Sequence, residues 1–341
     1  MKNFNARSYL YISGCGILLI LALVLVYAFT PVSKADDVCY IYIDEDDTQD
    51  SVLSKIRPFG HTAGMTGLSM LVRHSNYDAN IRTGRYAIHP GEGALAVFRH
   101  IKNGQQSSFS LTIPESRTME HLAGVLSRKL MLDSATIAQA LQSQETCQKY
   151  GYDTCTIPAL FVPNTYDIYW NIGIDALLER MQKEHDRFWR GDREQKAAQM
   201  GLTPQEICTL ASIIDEETAN NQEKPMVAGM YLNRLKSGMP LQADPTIKFA
   251  LKQFALRRIY NKLLSTDSPY NTYRNEGLPP GPIKIASIQG IDAVLNHVEH
   301  DYLYMCAKED FSGTHNFAHT YQEHLKNAAR YTKALNEKGI K

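Results

Sequence analysis

The sequence has no excess of either charge: 36 basic and 36 acidic side chains balance over 341 residues. Without a basic surplus there is no general attraction for nucleic acid or for an anionic membrane surface, so nucleic-acid binding is excluded as the main role. Glycine and proline are too sparse, at 21 and 14, for a collagen-like or low-complexity chain. No repeat of solenoid period is present. No Cys-x-x-Cys occurs among the 6 cysteines, which removes the usual zinc and redox pairings. Cys147 and Cys155 can close a small loop across Gly151 and Asp153, with buried free thiols as the alternative reading.

One run stands apart. From Tyr9 to Phe29 the chain carries no charge, and as a helix this run would be about 31 Å long, enough for a hydrocarbon core. Lys2 and Arg7 precede it, and Asp36, Asp37, Asp44, Glu45, Asp46 and Asp47 follow. The positive-inside tendency therefore places the N-terminus in the cytoplasm and the body outside. A cleaved signal has a shorter apolar region ending at a small-residue site. Tyr27-Ala28-Phe29 does not supply one, so a retained anchor is expected.

Beyond the anchor, an α+β body is expected. Val38 to Ile43 alternates as a strand, Ser51 to Ile56 follows as a short helix, and Thr83 to Ile88 reads as a turn into a second strand. Ala94 to Ile101 reads as a helix and Ser108 to Ile113 as a strand stopped by Pro114. From Met119, Leu122, Leu126 and Leu130 onward the period is helical to about residue 260, including one charged helix over Leu177 to Met200. Boundaries follow at 1–8 for the cytoplasmic N-terminus, 9–29 for the anchor, 36–114 for a small lobe, 115–200 for a helical connection and 201–341 for a C-terminal lobe.

The chemistry concentrates after Thr203. Thr203-Pro204-Gln205-Glu206 combines a cap, a proline at the first helical position and a capping-box glutamate. On the helix that follows, Ile207, Leu210, Ala211 and Ile214 share one face. Asp215 and Glu217 flank that stripe, about 80° to either side at 100° per residue, and Glu216 lies opposite it, toward water. Asp215 and Glu217 thus remain as two candidates for a partly desolvated carboxyl beside the negative end of a helix. Both influences raise a pKa toward that of a general acid.

Leu210 to Thr218, followed by Val227 to Leu235, resembles the catalytic segment of the endolytic murein transglycosylases, the MltG or YceG-like family. Met239-Pro240-Leu241-Gln242-Ala243-Asp244-Pro245-Thr246, Tyr270-Asn271-Thr272-Tyr273, Gly277 to Ile283 and His315 to Tyr321 resemble it in the same order. Weaker likeness runs upstream through Phe161 to Tyr166 and Ile113 to Ser116, and Thr83 to Tyr86 is LysM-like. The resemblance implies that Glu217 is the catalytic acid/base. It also implies a YceG-like catalytic lobe behind a LysM-like one, and cleavage of the β-1,4 MurNAc-GlcNAc bond within peptidoglycan strands to give 1,6-anhydroMurNAc ends. The substrate's own C6 hydroxyl would then be the nucleophile and no cofactor or metal would be needed.

Gln242, Asp244, Thr246, Asn271, Tyr273, His315 and Phe317 are the expected substrate-binding residues. Asp244-Pro245 can equally cap a helix over Ile247 to Leu256, and Thr320 to Glu323 can cap the last helix. Implied partners are glycan strands and the peptidoglycan synthases beside which strand length would be limited. Two other readings remain: an inactive peptidoglycan-binding scaffold, and a metallohydrolase built on His315, His319, Glu323 and His324.

Overall fold

In a computed structural model of the chain, residues 6–256 and 259–339 are described, apart from the side chains of 6–10 and 12. The start of the expected cytoplasmic segment, residues 1–5, lies outside the described residues. The chain forms two units. The first comprises Met1–Leu111, Lys129–Met131 and Tyr166–Ile172, and the second Thr112–Arg128, Leu132–Thr165 and Gly173–Lys341. The long opening segment of the first unit ends at Leu111.

The first unit begins with α1 (Ala6–Phe29), which leads through β1 (Cys39–Ile43) to α2 (Gln49–Ile56) and α3 (Thr62–His74). It continues with β2 (Gly84–Ile88) and α4 (Ala94–Asn103). Among the described residues no helix is long and apolar enough to cross a membrane. In α1 the continuously described side chains are those of residues 13–29.

Strand β1 runs antiparallel to β2 from Cys39 opposite Ile88 to Ile43 opposite Gly84. The two-residue period of β1 sends Ile41 and Ile43 into the core and leaves Tyr40 and Tyr42 exposed. Val52, Ile56, Leu68 and Ile101 complete that core.

Helix α3 has no counterpart in the sequence reading, because Gly64 and Gly67 weaken its helical signal. Their purpose is contact. A Cβ on Gly64 would run into the Pro31 carbonyl, and one on Gly67 into that of Tyr27.

The chain continues through β3 (Phe109–Thr112), α5 (Met119–Ser127), α6 (Ser134–Gln142) and α7 (Gln144–Lys149) to β4 (Thr165–Ile168), which pairs with β3. The expected single helix over 177–200 is instead α8 (Ile174–Trp189) and α9 (Asp192–Met200). Gly191 separates them, at a φ of 90° that no helix can accommodate.

Next come α10 (Pro204–Glu217), α11 (Lys224–Lys236), α12 (Asp244–Ala250) and α13 (Ile288–Leu295). The chain closes with β5 (Tyr304–Ala307), β6 (His315–Ala318) and α14 (Tyr321–Glu337). Helix α12 is shorter than expected because Lys252 turns to a φ of 52°. Its cap position is Ala243. Asp244 is therefore not the cap but the first helical residue, which leaves its carboxylate available to other groups.

Helix α10 is the axis of the second unit. Ile207 through Ile214 are all buried, because α11, α12 and α13 pack around it. An amphipathic stripe widens into burial on every side once neighbours cover the helix. At its start the expected capping box is present: Thr203 N–H donates to Glu206 at 2.8 Å and Glu206 N–H to the Thr203 hydroxyl at 3.2 Å. Buried Ser212 accepts from Ile283 N–H at 3.0 Å, pinning the end of the Gly277 to Ile283 loop against the helix. All six cysteines are free thiols, so Cys147 and Cys155 form no disulfide. Cys147 is buried and its thiol donates to the Leu141 carbonyl.

Candidate active site

Helix α10 ends at Glu217 because Thr218 turns to extended backbone, at φ −142° and ψ 133°. This delivers three consecutive acidic side chains into three different surroundings. Asp215 enters the interior: it accepts from Lys224 Nζ, Ser287 N–H and the Ser287 hydroxyl, each at 2.7 Å. Its side chain is 2% exposed. Asp215, left open beside Glu217 by the helical wheel, is thus committed to joining α10 to the start of α13.

Glu216 does not point to water, as the wheel had placed it. Its two carboxylate oxygens accept from Arg117 Nε at 3.0 Å and Nη2 at 2.9 Å, and Lys284 lies 3.8 Å away. Arg117 and Lys284 come from segments remote in sequence, which a wheel of one helix cannot contain. Glu216→Gln should therefore lower stability by about 1 kcal/mol, since the bidentate pair is only partly screened. A urea titration at two salt concentrations checks this, the deficit shrinking at the higher one.

Glu217 opens into a cavity of about 250 Å³ whose walls include Tyr231, Arg234, Gln242, Asp244, Tyr273 and His315. Its carboxyl accepts from the Tyr231 hydroxyl at 3.1 Å. Burial dominates its electrostatics and raises its pKa to about 7, against the lowering effect of the Tyr231 hydrogen bond and with a further upward push from Asp244. Burial also raises the phenols of Tyr231 and Tyr273, so both stay protonated donors. The Tyr273 hydroxyl donates to Asp244 Oδ1 at 2.6 Å, fixing that carboxylate at the mouth.

Five of the expected residues thus converge: Glu217, Gln242, Asp244, Tyr273 and His315. Three others lie outside the cavity. Thr246 is fully buried, its hydroxyl bonding the Ala243 carbonyl at 2.7 Å and the Thr272 hydroxyl at 2.9 Å. Asn271 is also fully buried, its amide donating to the Leu264 and Thr266 carbonyls and accepting from Tyr273 N–H. These two hold the wall instead of facing the cavity. Phe317 packs beside Tyr302, with ring centres 5.7 Å apart.

The sequence gives Arg234, Tyr231 and Thr218 only as members of motifs, with no role of their own, and does not single out Glu223. Arg234 is 6% exposed and donates to the Leu303, Pro240 and Leu241 carbonyls, at 2.6, 3.1 and 2.8 Å. It thereby ties α11 to the approach to β5 and to the loop carrying Gln242, which holds a φ of 54°. A usable signal was present: Tyr231 and Arg234, three apart on one face of a mostly apolar helix, must find partners when buried. Thr218 and Glu223 gave no such signal, because their bond closes only when the turn between α10 and α11 forms.

The histidines do not assemble as a metal centre. His315 bonds Glu223, while Glu323 caps α14 by accepting from Thr320 N–H at 3.3 Å and also accepts from His319 N–H at 3.0 Å. Among the described residues no group of three or more metal-ligating side chains converges.

The profile of the YceG-like family matches residues 41–330. The chain is 29% identical over 280 residues to an endolytic murein transglycosylase of Bacillus subtilis strain 168, covering 76% of each chain. It is 24% identical over 315 residues to an endolytic murein transglycosylase of Streptococcus pneumoniae strain D39, covering 82% of this chain and 57% of that one. In fold it resembles a YceG-like protein of Listeria monocytogenes, with a TM-score of 0.55 and 24% identity over 86% of this chain and 99% of that one. The chain belongs to the YceG-like family.

Proposed function

We propose that the protein is an endolytic murein transglycosylase that cuts the β-1,4 MurNAc-GlcNAc bond inside peptidoglycan strands. The observation that carries this reading is a carboxyl, Glu217, whose burial raises its pKa to about 7 at the floor of an open cavity. At neutral pH a large share of such a group is still protonated and can donate to a glycosidic oxygen. The bond from that oxygen to C1 breaks with its electron pair going to the oxygen. The C6 hydroxyl of the same MurNAc closes on C1 and gives its proton to a base, which the family resemblance assigns to Glu217 once it has ionised, leaving a 1,6-anhydro end. A nucleophile already attached to the substrate needs no positioned water and no enzyme carboxylate for attack, because proximity is built in.

Gln242, Asp244 and Tyr273 bind the strand at the mouth, with Thr246 and Asn271 supporting them from behind. Residues 9–29 anchor the chain in the membrane with the body extracytoplasmic, a reading supported by the uncharged run and its flanking charges. Residues 36–114 are a LysM-like glycan-binding lobe, a reading supported by two paired strands enclosing two helices. Cutting nascent strands beside the synthases would limit strand length.

The test is mass spectrometry of purified glycan strands incubated with the full chain, which on this reading leaves membranes only with detergent. New 1,6-anhydroMurNAc ends are expected. Reducing ends would identify a hydrolase in place of a transglycosylase, and intact strands would leave only a binding role.

A further inference from the structure

Around the cavity one buried carboxylate is spent on a histidine. Glu223, at the N-terminal end of α11 and 8% exposed, accepts from His315 N–H at 2.6 Å and lies 3.0 Å from His315 Nδ1. Its Oε2 also accepts from the Thr218 hydroxyl at 3.1 Å, and Thr218 is the residue that ends α10 directly after Glu217. The backbone bond fixes where β6 begins, and the ring bond fixes the imidazole. A carboxylate at Nδ1 requires the proton there, so in the neutral ring Nε2 carries the lone pair. The His315 side chain is 16% exposed and lines the same cavity as Glu217.

We propose that His315, held by Glu223, is the base that removes the proton from the MurNAc C6 hydroxyl. This rests on the transglycosylase reading above and deepens it, because the resemblance alone assigns that proton to Glu217. In the step, Glu217 gives its proton to the glycosidic oxygen while the C1–O4 bond breaks. The C6 oxygen forms its bond to C1 and its proton passes to His315 Nε2. The resulting imidazolium faces the Glu223 carboxylate, which stabilises it without taking the proton. The cycle closes when the imidazolium releases its proton to solvent and Glu217 takes one up. With two groups, acid and base are ready at the same moment. A lone carboxyl must give up one proton before it can accept another.

The charged and titratable groups around the imidazole come from every wall: Glu217 from α10, Tyr231 and Arg234 from α11, Asp244 from α12, Tyr273 from the loop before Gly277, and Cys306 from β5. Because several of these titrate, the test compares variants of one residue. Wild-type kcat should show both an acid and a base limb against pH. His315→Gln should lower kcat by about a hundredfold or more, leave KM within about threefold and abolish the acid limb. Glu223→Gln, acting through the ring, should lower kcat by about tenfold and displace that limb. His315→Ala should regain activity with added imidazole.

A wild-type kcat that stays flat toward low pH would overturn the proposal, whether or not the variants fold. So would a His315→Gln enzyme that changes KM alone, which would mark His315 as a binding residue. Absence of 1,6-anhydro ends with the wild-type protein would instead remove the transglycosylase reading itself.

Discussion

Glu217→Gln should abolish strand cleavage, lowering kcat by at least about a thousandfold, and at the same time make the protein more stable in mildly alkaline solution. The two effects share one cause. Burial raises the Glu217 pKa to about 7, above its ordinary 4.5, so the fold prefers the neutral acid. The stability contributed by that preference is complete below the ordinary value and is lost as pH rises through about 7. Glutamine resembles the neutral acid in shape and hydrogen bonding but has no proton to give and no charge to bury. The variant should match the wild type near pH 4 and exceed it at pH 9 by at most about 3 kcal/mol, less in practice because the carboxyl keeps a face toward the open cavity. Chemical unfolding at both pH values checks the sign. A variant less stable than the wild type at pH 9 would mean that the Tyr231 hydrogen bond favours the carboxylate more than burial opposes it, and that Glu217 is not held as an acid. The same ionisation predicts that wild-type kcat falls above about pH 7.

The largest loss of stability is expected from Asp215→Ala. Asp215 and Lys224 are 2% and 7% exposed, and their ion pair is 2.7 Å long. Removing the carboxylate leaves the ammonium buried with only the Ser287 hydroxyl, at 3.5 Å, for a partner. It also strips Ser287, the cap of α13, of the group that accepts from its backbone N–H. Breaking such a pair from one side costs about 3–5 kcal/mol, most of it the desolvation of the stranded charge. The paired change Asp215→Leu with Lys224→Met should recover most of that, because it leaves no charge behind. Equilibrium unfolding of the wild type and these two variants decides this, and a double variant as unstable as the single one would show that the cap on α13 dominates. Activity should fall even where the chain stays folded, since Asp215 fixes the last turn of α10 and hence the position of Glu217.

The course of the chain was legible wherever local rules suffice. The capping box at Thr203, the strands near 39–43 and 84–88, and the helices beginning near Met119 and Ala94 need only short-range periodicity and side chains that bond their own backbone. Reading failed where a distant segment changes what a residue is for. Gly64 and Gly67 argue against a helix until the end of α1 and the residues just after it pack on them. Thr246 and Asn271 stand in recognisable motifs, yet their polar atoms are already taken: Thr246 bonds the Ala243 carbonyl and the remote Thr272 hydroxyl, and Asn271 the Leu264 and Thr266 carbonyls.

For Asp215, Glu216 and Glu217, the sequence by itself determined that three carboxylates would stand at the end of one helix, about 100° apart. That follows from helical geometry and needs no tertiary information. Their surroundings come from the tertiary fold: Lys224 and Ser287 claim the first, Arg117 and Lys284 the second, and the third meets a cavity wall with a phenol as its partner and has its pKa raised. The physical reason is that a carboxyl's protonation depends on the solvent it loses and the charges it meets. Those are properties of neighbours up to 99 residues away in sequence, as with Arg117 and Glu216.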